Sequence, residues 1–284
     1  MSAAVEEIPY EELKIGDLIG QGFFGSVFKA DWGNLQIAVK KIRPGCQHNQ
    51  IEREVRQLSR VSHENIVQLH GITRHEDTFH LLMEYVDGGN LDSFLTADSK
   101  PSYTLAHAFN WAFQIAQGLA YLHARKPNAV IHRDIKPLNS LIYLKGLRLK
   151  ICDFGTVVDL SKSMTVDVGT CRYKAPEVLR GRHYNEKCDV HSWAITFWEI
   201  LSRKTPLEEH RGTYALKLAI NGGDRPSFED IMPGCPGDII SILSACWNVD
   251  PQKRHSMELV TYIMRKFVSE AGPIDPIDFQ WPTL

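Results

Sequence analysis

No apolar run in the sequence approaches the ~18 to 20 residues that a membrane-spanning helix requires. The best candidate, Trp193 to Leu201, is short and carries Glu199. The opening residues MSAAVEEIPYEE are acidic, without the basic start and apolar stretch of a secretion signal. No glycine follows Met1 to accept a myristoyl chain. An excess of one charge is also missing: 32 Lys and Arg stand against 34 Asp and Glu, a net charge of −2. That balance gives no broad basic field to gather nucleic acid or anionic lipid. The six cysteines, Cys46, Cys152, Cys171, Cys188, Cys235 and Cys246, form no CxxC pair, and no histidine pair completes a zinc pattern. Without a secretion signal they are expected as free thiols in a cytoplasmic protein. There is no internal repeat and no low-complexity stretch. What remains is ordinary globular composition: 284 residues, 43% hydrophobic and 23% charged. That is one large or two medium units, able to bury a core without disulfides.

The first hundred residues read as strands. Leu13 to Ile19 leads to a glycine cluster, then Ser26 to Ala30 and Leu35 to Ile42 follow, with Gly33-Asn34 as a hairpin turn. In LQIAVKKI, Leu35, Ile37, Val39 and Lys41 share one face, and Gln36, Ala38, Lys40 and Ile42 the other. A polar helical pattern covers about Asn49 to Val61, and IVQLHGI and TFHLLMEYV are strand-like. DGGN at 87–90 is a break, after which helical periodicity takes over. Leu105, Ala108, Ala112, Ile115, Leu119 and Leu122 are spaced 3, 4, 3, 4, 3. Val190, Trp193, Ala194, Phe197, Trp198 and Leu201 form a second helix, which Ile195 and Ile200 make apolar nearly all round, as a buried central helix would be. Shorter helical patterns lie near 213–221, 238–247 and 256–269, and the tail PIDPIDFQWPTL is expected to be irregular.

Six motifs carry chemistry. Gly20-Gln21-Gly22-Phe23-Phe24-Gly25 lets backbone N–H groups close on phosphate oxygens, because glycine has no Cβ. A dinucleotide fold would need a helix after the third glycine. Here SVFKADWGNLQIAVKK reads strand, turn, strand, so a hairpin over phosphates fits better. Lys40 in Ile37-Ala38-Val39-Lys40 can reach such phosphates, with Ala38 and Val27 against a base and Lys41 pointing away. Glu54, fourteen residues on, is the carboxylate to hold Lys40, with Glu52 a close competitor. His132-Arg133-Asp134-Ile135-Lys136-Pro137-Leu138-Asn139, Asp153-Phe154-Gly155 and Ala175-Pro176-Glu177 follow in that order.

Taken together over roughly residues 13 to 270, these motifs resemble the eukaryotic protein kinases. The resemblance implies an α+β, bilobal fold. Its small antiparallel β-rich N-lobe, with one regulatory helix, covers about 13–84, the hinge about 84–89 and a larger α-helical C-lobe about 90–270. An N-terminal extension, 1–12, and an irregular tail, 271–284, flank them. It implies ATP and Mg2+ as cofactors. Asp134 then orients and deprotonates the substrate hydroxyl, and Lys136 meets the charge of the transferring phosphoryl group. Asn139 and Asp153 ligate the metal, and Lys40, held by Glu54, grips the α- and β-phosphates. Lys136 in the catalytic loop and Thr170 in GTCRYKAPE are typical of serine/threonine kinases.

EVRQLSRVSHENIV, MEYVDGGNL, YLHARKPNAVIHRDIKP, LKICDFGT and NEKCDVHSW are similar to the mitogen-activated protein (MAP) kinase kinase kinases. This finer likeness implies a MAP kinase kinase as substrate. It also implies Met83 as gatekeeper, backbone bonds to adenine at Glu84 and Val86, and Val27, Ala38 and Leu141 lining the base. Leu58, Leu69, His132 and Phe154 are expected to stack as one spine. Asp189 should hold the catalytic-loop backbone, and Glu177 should pair with Arg254. Thr165, in SMTVD, and Thr170 are candidate phosphorylation sites, with Arg133 to receive a phosphate. Cys152 reads as a packed core thiol. Such kinases carry a coiled-coil tail for adaptors. With the chain ending at Leu284, as a tail-less paralogue or an excised domain would, that recruitment is not expected, while an activator subunit on the C-lobe is. Ser140, Arg172, Lys174 and Ala194 depart from the usual pattern. A catalytically silent scaffold of the same fold is the rival reading, and tyrosine or dual specificity a third. The intact set Lys40, Glu54, Asp134, Asn139 and Asp153 argues against the scaffold.

Overall fold

The computed structural model describes residues 6–22, 25–43, 55, 59, 61–76, 78–126, 129–153 and 168–279. Five antiparallel strands form the first layer: β1 (Leu13–Gly22), β2 (Gly25–Trp32), β3 (Leu35–Ile42), β4 (Leu69–His75) and β5 (Thr78–Glu84), in the order β1-β2-β3-β5-β4. Gly33-Asn34 makes the expected turn, with Gly33 at φ +57°. Register explains the two faces. Val27, Lys40 and Leu81 lie opposite one another, as do Lys29, Ala38 and Met83. Directly paired residues share a face, so these rows look the same way. The alternate residues Ala30, Ile37, Val39 and Leu82 face away and pack with Ile8 and Leu13 in a small apolar cluster.

The strands differ from the sequence reading at their ends. β1 continues through Gly20 and Gly22, and Gly25 already opens β2, so the glycine motif is mostly paired strand. β4 begins at Leu69, because Ile66 bridges instead to Ile151. The N-terminal residues are not a loose flank. The Ile8 N–H donates to the Ile72 carbonyl at 2.9 Å, the Ile72 N–H donates to the Glu6 carbonyl at 3.0 Å, and Ile8 is buried. Gly71 permits this approach: a Cβ there would lie 2.6 Å from Ile8 Cδ1 and 2.8 Å from the Glu6 oxygen. Val55 is helical, but the rest of the 49–61 pattern, Glu52, Glu54 and Leu58 included, falls outside the described residues apart from Ser59 and Val61.

Helices dominate the rest. α1 (Leu91–Thr96), not foreseen in the sequence, is capped by Asn90, whose side chain accepts from the Ser93 N–H at 2.8 Å. α2 (Leu105–His123) starts with a Thr104–His107 capping box. The hairpin β6 (Ser140–Tyr143) and β7 (Arg148–Ile151) follows, then the short α3 (Val168–Cys171) and α4 (Pro176–Leu179). α5 (Lys187–Ser202) is buried from Cys188 to Leu201, as its all-round apolarity predicts. α6 (Thr213–Gly222), α7 (Gly237–Cys246) and α8 (Met257–Ala271) complete the lobe. The buried indoles of Trp111, Trp193 and Trp198 each donate to a carbonyl, of Gly146, Ala112 and Ser227, so burial strands no N–H. Each such large side chain contributes about 1.5–3 kcal/mol on burial. The tail is irregular over 272–279, yet Ile277 is buried and its N–H donates to the Lys145 carbonyl.

Backbone bonds stitch the links beside β4 and β5 to the β6–β7 hairpin. Gly88 N–H donates to the Ile142 carbonyl at 3.0 Å, and Ile142 N–H donates to the Gly89 carbonyl at 2.8 Å. A Cβ on Gly88 would meet the Ile142 oxygen at 2.4 Å, so only glycine fits. Val67 N–H to the Ile151 carbonyl and Ile151 N–H to the Asn65 carbonyl add a second seam. Between them the Lys150 ammonium pairs with Glu84 at 2.9 Å.

Candidate active site

Asp189, at the start of α5, organises the floor of the cleft. Its carboxylate accepts the N–H of His132 at 2.8 Å and of Arg133 at 2.7 Å, and His123 lies 3.0 Å away. Burial works against this charge. The hydrogen bond and charge of His123, the charge of His132 and the Arg133 N–H still hold the carboxyl below its usual range. Arg133 adopts φ +71°, which costs a non-glycine residue roughly 1–2 kcal/mol. The Asp189 bond, and the Arg133 guanidinium over the Tyr184 ring at 5.2 Å, stabilise it there. Sequence reading foresaw Asp189 but not His123 or Tyr184, whose roles come only from tertiary placement.

The next residues converge. Asn139 Nδ2 donates to the Asp134 carbonyl at 2.8 Å and to its carboxylate at 2.9 Å. Lys136 Nζ donates to the same carboxylate at 2.8 Å and to Thr170 Oγ1 at 3.0 Å. Asp134, Lys136 and Asn139 are all buried. The unusual Ser140 donates its hydroxyl to the Lys136 carbonyl at 3.2 Å, which accounts for a polar residue in this buried place.

The sheet supplies the facing side. Lys40 is buried, while Lys41 is exposed. Lys40 Nζ bonds Asp153 Oδ1 at 2.8 Å, across 113 residues of sequence. Asp153 itself sits at φ +61° just past β7. Cys152 connects the two groups: its N–H donates to the Asn139 carbonyl and its carbonyl accepts from His132 Nε2, both at 3.0 Å. Burial, with the Asp153 charge second, pushes the Cys152 thiol up to about 12. A thiol so raised stays protonated near neutral pH, although the residue keeps part of its surface exposed.

The remaining sequence candidates fall around this cleft. Gly20 pairs with Val27 and Gly22 with Gly25. A Cβ on Gly25 would collide with the Lys41 carbonyl at 1.9 Å. Ala38 is buried opposite Met83, Val86 is buried, and Leu141 bridges Asn90. The Glu84 N–H donates to the Gln68 carbonyl. Glu177 and Arg254 form a buried two-pronged pair, at 2.7 and 2.8 Å. Leu69 and His132 are buried, whereas Leu58, Phe154, Glu54 and Thr165 lie outside the described residues. Sequence reading missed Tyr173, whose hydroxyl donates to Glu199 at 2.7 Å beneath the turn that leads into α4. Arg172, noted only as a departure, donates to the carbonyls of Pro206 and Leu207, both at 2.7 Å.

The model of the protein kinase domain matches residues 13–264. The chain belongs to the protein kinase family. It is 44% identical over 263 residues to mitogen-activated protein kinase kinase kinase 7 of Drosophila melanogaster, covering 93% of this chain and 38% of that protein. The Homo sapiens protein of the same name is 42% identical over 275 residues, 95% of this chain and 45% of its own length. A putative mitogen-activated protein kinase kinase kinase 7-like protein of Drosophila melanogaster is 38% identical, over 94% of this chain and 68% of its own. The kinase thus spans less than half the length of the first two relatives. Family membership carries general use of ATP and a divalent cation. Among the described residues, no helix is long and apolar enough to cross a membrane.

Proposed function

We propose that this kinase transfers the γ-phosphate of ATP to serine or threonine hydroxyls of a MAP kinase kinase, as a MAP kinase kinase kinase in a cytoplasmic stress or immune cascade. One observation carries the reading: the buried Asp134–Lys136–Asn139 group lies beside the Lys40–Asp153 pair, and all five residues are of the type that phosphoryl transfer uses. Relatives named as MAP kinase kinase kinases support the finer assignment.

Asp134 orients the acceptor hydroxyl and takes its proton. Lys136, already against that carboxylate, meets charge on the moving phosphoryl group. Lys40 grips the α- and β-phosphates, with Glu54 to hold it. Val27, Ala38 and Leu141 line the adenine behind Met83, and Glu84 and Val86 offer backbone bonds. Gly20, Gly22 and Gly25 cover the phosphates. The fit to Mg2+ rests on donor chemistry. The Asn139 amide nitrogen is committed to Asp134, so its oxygen is what it offers, and Asp153 adds a carboxylate. Two hard oxygen donors suit a cation whose other ligands are phosphate and water. Bound there, the cation neutralises charge on the transferring group. Catalysis is positioning and electrostatics, with no covalent enzyme intermediate. Phosphorylation of Thr165 or Thr170 and an activator on the C-lobe regulate it.

The test is transfer of labelled phosphate from ATP to a MAP kinase kinase by wild type and by Asp134→Asn. Wild type should label serine or threonine, and the variant should be slower by about a hundredfold or more. Equal signals from both would favour the silent-scaffold reading.

A further inference from the structure

The turn GTCRYK ahead of α4 carries two cations, and the structure uses them differently. Arg172 is consumed in building the fold, through its bonds to Pro206 and Leu207. Among the described residues, Lys174 is fixed through its backbone. Its N–H donates to the Cys171 carbonyl at 3.2 Å. Its neighbour Tyr173 is bolted to α5 by its hydroxyl on Glu199, at 2.7 Å, and by its carbonyl under Ser192 Oγ, at 2.8 Å. The turn is therefore rigid, and it starts from Thr170, which touches Lys136.

On this rigid turn the Lys174 side chain is half-buried, and its ammonium makes no hydrogen bond or ion pair among the described residues. Burial lowers its pKa first; the Asp134 charge acts in the opposite direction and Lys136 adds to the lowering. The Asp134 carboxylate is already occupied by Lys136 at 2.8 Å and Asn139 at 2.9 Å. Among the described residues Lys174 is thus a partly desolvated cation without a bonded partner, on a turn whose Thr170 touches the same Lys136 that holds the Asp134 carboxylate. A cation in that state gains more from an arriving anion than a fully hydrated one does.

We propose that Lys174 is a specificity-determining residue: its ammonium pairs with an anionic side chain flanking the acceptor serine or threonine, and so selects acidic substrate segments. The inference rests on the kinase reading above. The shared chemistry is an anion, which a glutamate or an already phosphorylated residue can supply.

The experiment uses the full chain, ATP and Mg2+, with peptides carrying alanine, glutamate, phosphoserine or lysine singly at each position flanking a fixed acceptor. A MAP kinase kinase serves as a second acceptor. At a position next to the acceptor, glutamate or phosphoserine should raise kcat/KM about tenfold over alanine, mainly through KM. Lysine there should lower it, and high salt should shrink the difference. Whichever of the two anions gives the larger gain names the source. Lys174→Arg should keep the preference and Lys174→Met should flatten it. A flat profile in wild type, or a preference that survives in Lys174→Met, overturns the inference and leaves the kinase reading standing. If neither the peptides nor the MAP kinase kinase is labelled, the kinase reading falls and takes this inference with it.

Discussion

On the helical side of the cleft, position is set by buried polar bonds. Asp189 holds two backbone N–H groups, Asp134 receives Lys136 and Asn139, and Glu177 grips Arg254. On the sheet side, Lys40 is aimed by strand register, over a layer of Ile37, Val39, Leu82, Leu13 and Ile8. The first is directional and brittle: remove one partner and the other is left buried without compensation. The second is tolerant, because apolar burial depends on area more than angle. On the proposed reading, the brittle network would lie under the acceptor hydroxyl and the tolerant layer over the phosphates, which suits a protein that holds one substrate still while the other comes and goes.

The contrast can be broken from either side. Asp189→Asn should have the largest effect. It sets an amide against the His132 and Arg133 N–H groups and should cost about 3–5 kcal/mol of stability, read by urea unfolding, with phosphoryl transfer falling alongside. A variant as stable as wild type would remove Asp189 from this role. Next comes a pH effect at Glu199. Burial, opposed by the Tyr173 bond and aided by Asp92, pushes its carboxyl from 4.5 up to about 8. Folding therefore favours the protonated form. The stability is whole below the unfolded value and drains away as pH climbs towards 8, by at most about 1.4 kcal/mol per pH unit. Glu199→Gln should flatten that slope in denaturation curves taken from pH 5 to 8; parallel curves would contradict it.

On the sheet side the effects shrink. Gly71→Ala forces Ile8 or Glu6 to move and should cost about 1–3 kcal/mol. Hydrogen exchange should speed up at the Ile8 and Ile72 amides and leave α5 untouched; unchanged protection at both amides would refute it. Smallest in stability is Lys40→Met, at about 1 kcal/mol or less, since Asp153 keeps access to water. Its phosphoryl transfer should nonetheless fall by about a hundredfold. A melting shift as large as that of Asp189→Asn would erase the distinction between the two sides.

Much of this was legible in the sequence, for identifiable reasons. The 3-and-4 spacing from Leu105 and the all-round apolarity from Val190 correspond to α2 and the buried α5. The alternation in LQIAVKKI anticipated a buried Lys40 beside an exposed Lys41. Pairs foreseen from the family likeness, Asp189 with the catalytic-loop backbone and Glu177 with Arg254, are present. Features set by tertiary placement were not legible. Ile8 looks like an unpatterned flank until Gly71 lets it dock. α1 is only six residues long, too short for periodicity to register. Tyr173 and Glu199 are 26 residues apart and carry no common signal, while Arg172 and Lys174 look equivalent until, among the described residues, one side chain is found bonded and the other not.

The reciprocal bonds of Gly88, Gly89 and Ile142 restrict how the molecule can breathe. Two strands of chain clasped at one end can swing like the covers of a book but cannot slide past each other without tearing the binding. On the proposed reading, ATP would enter and leave beside a spine that stays where Gly88 meets Ile142.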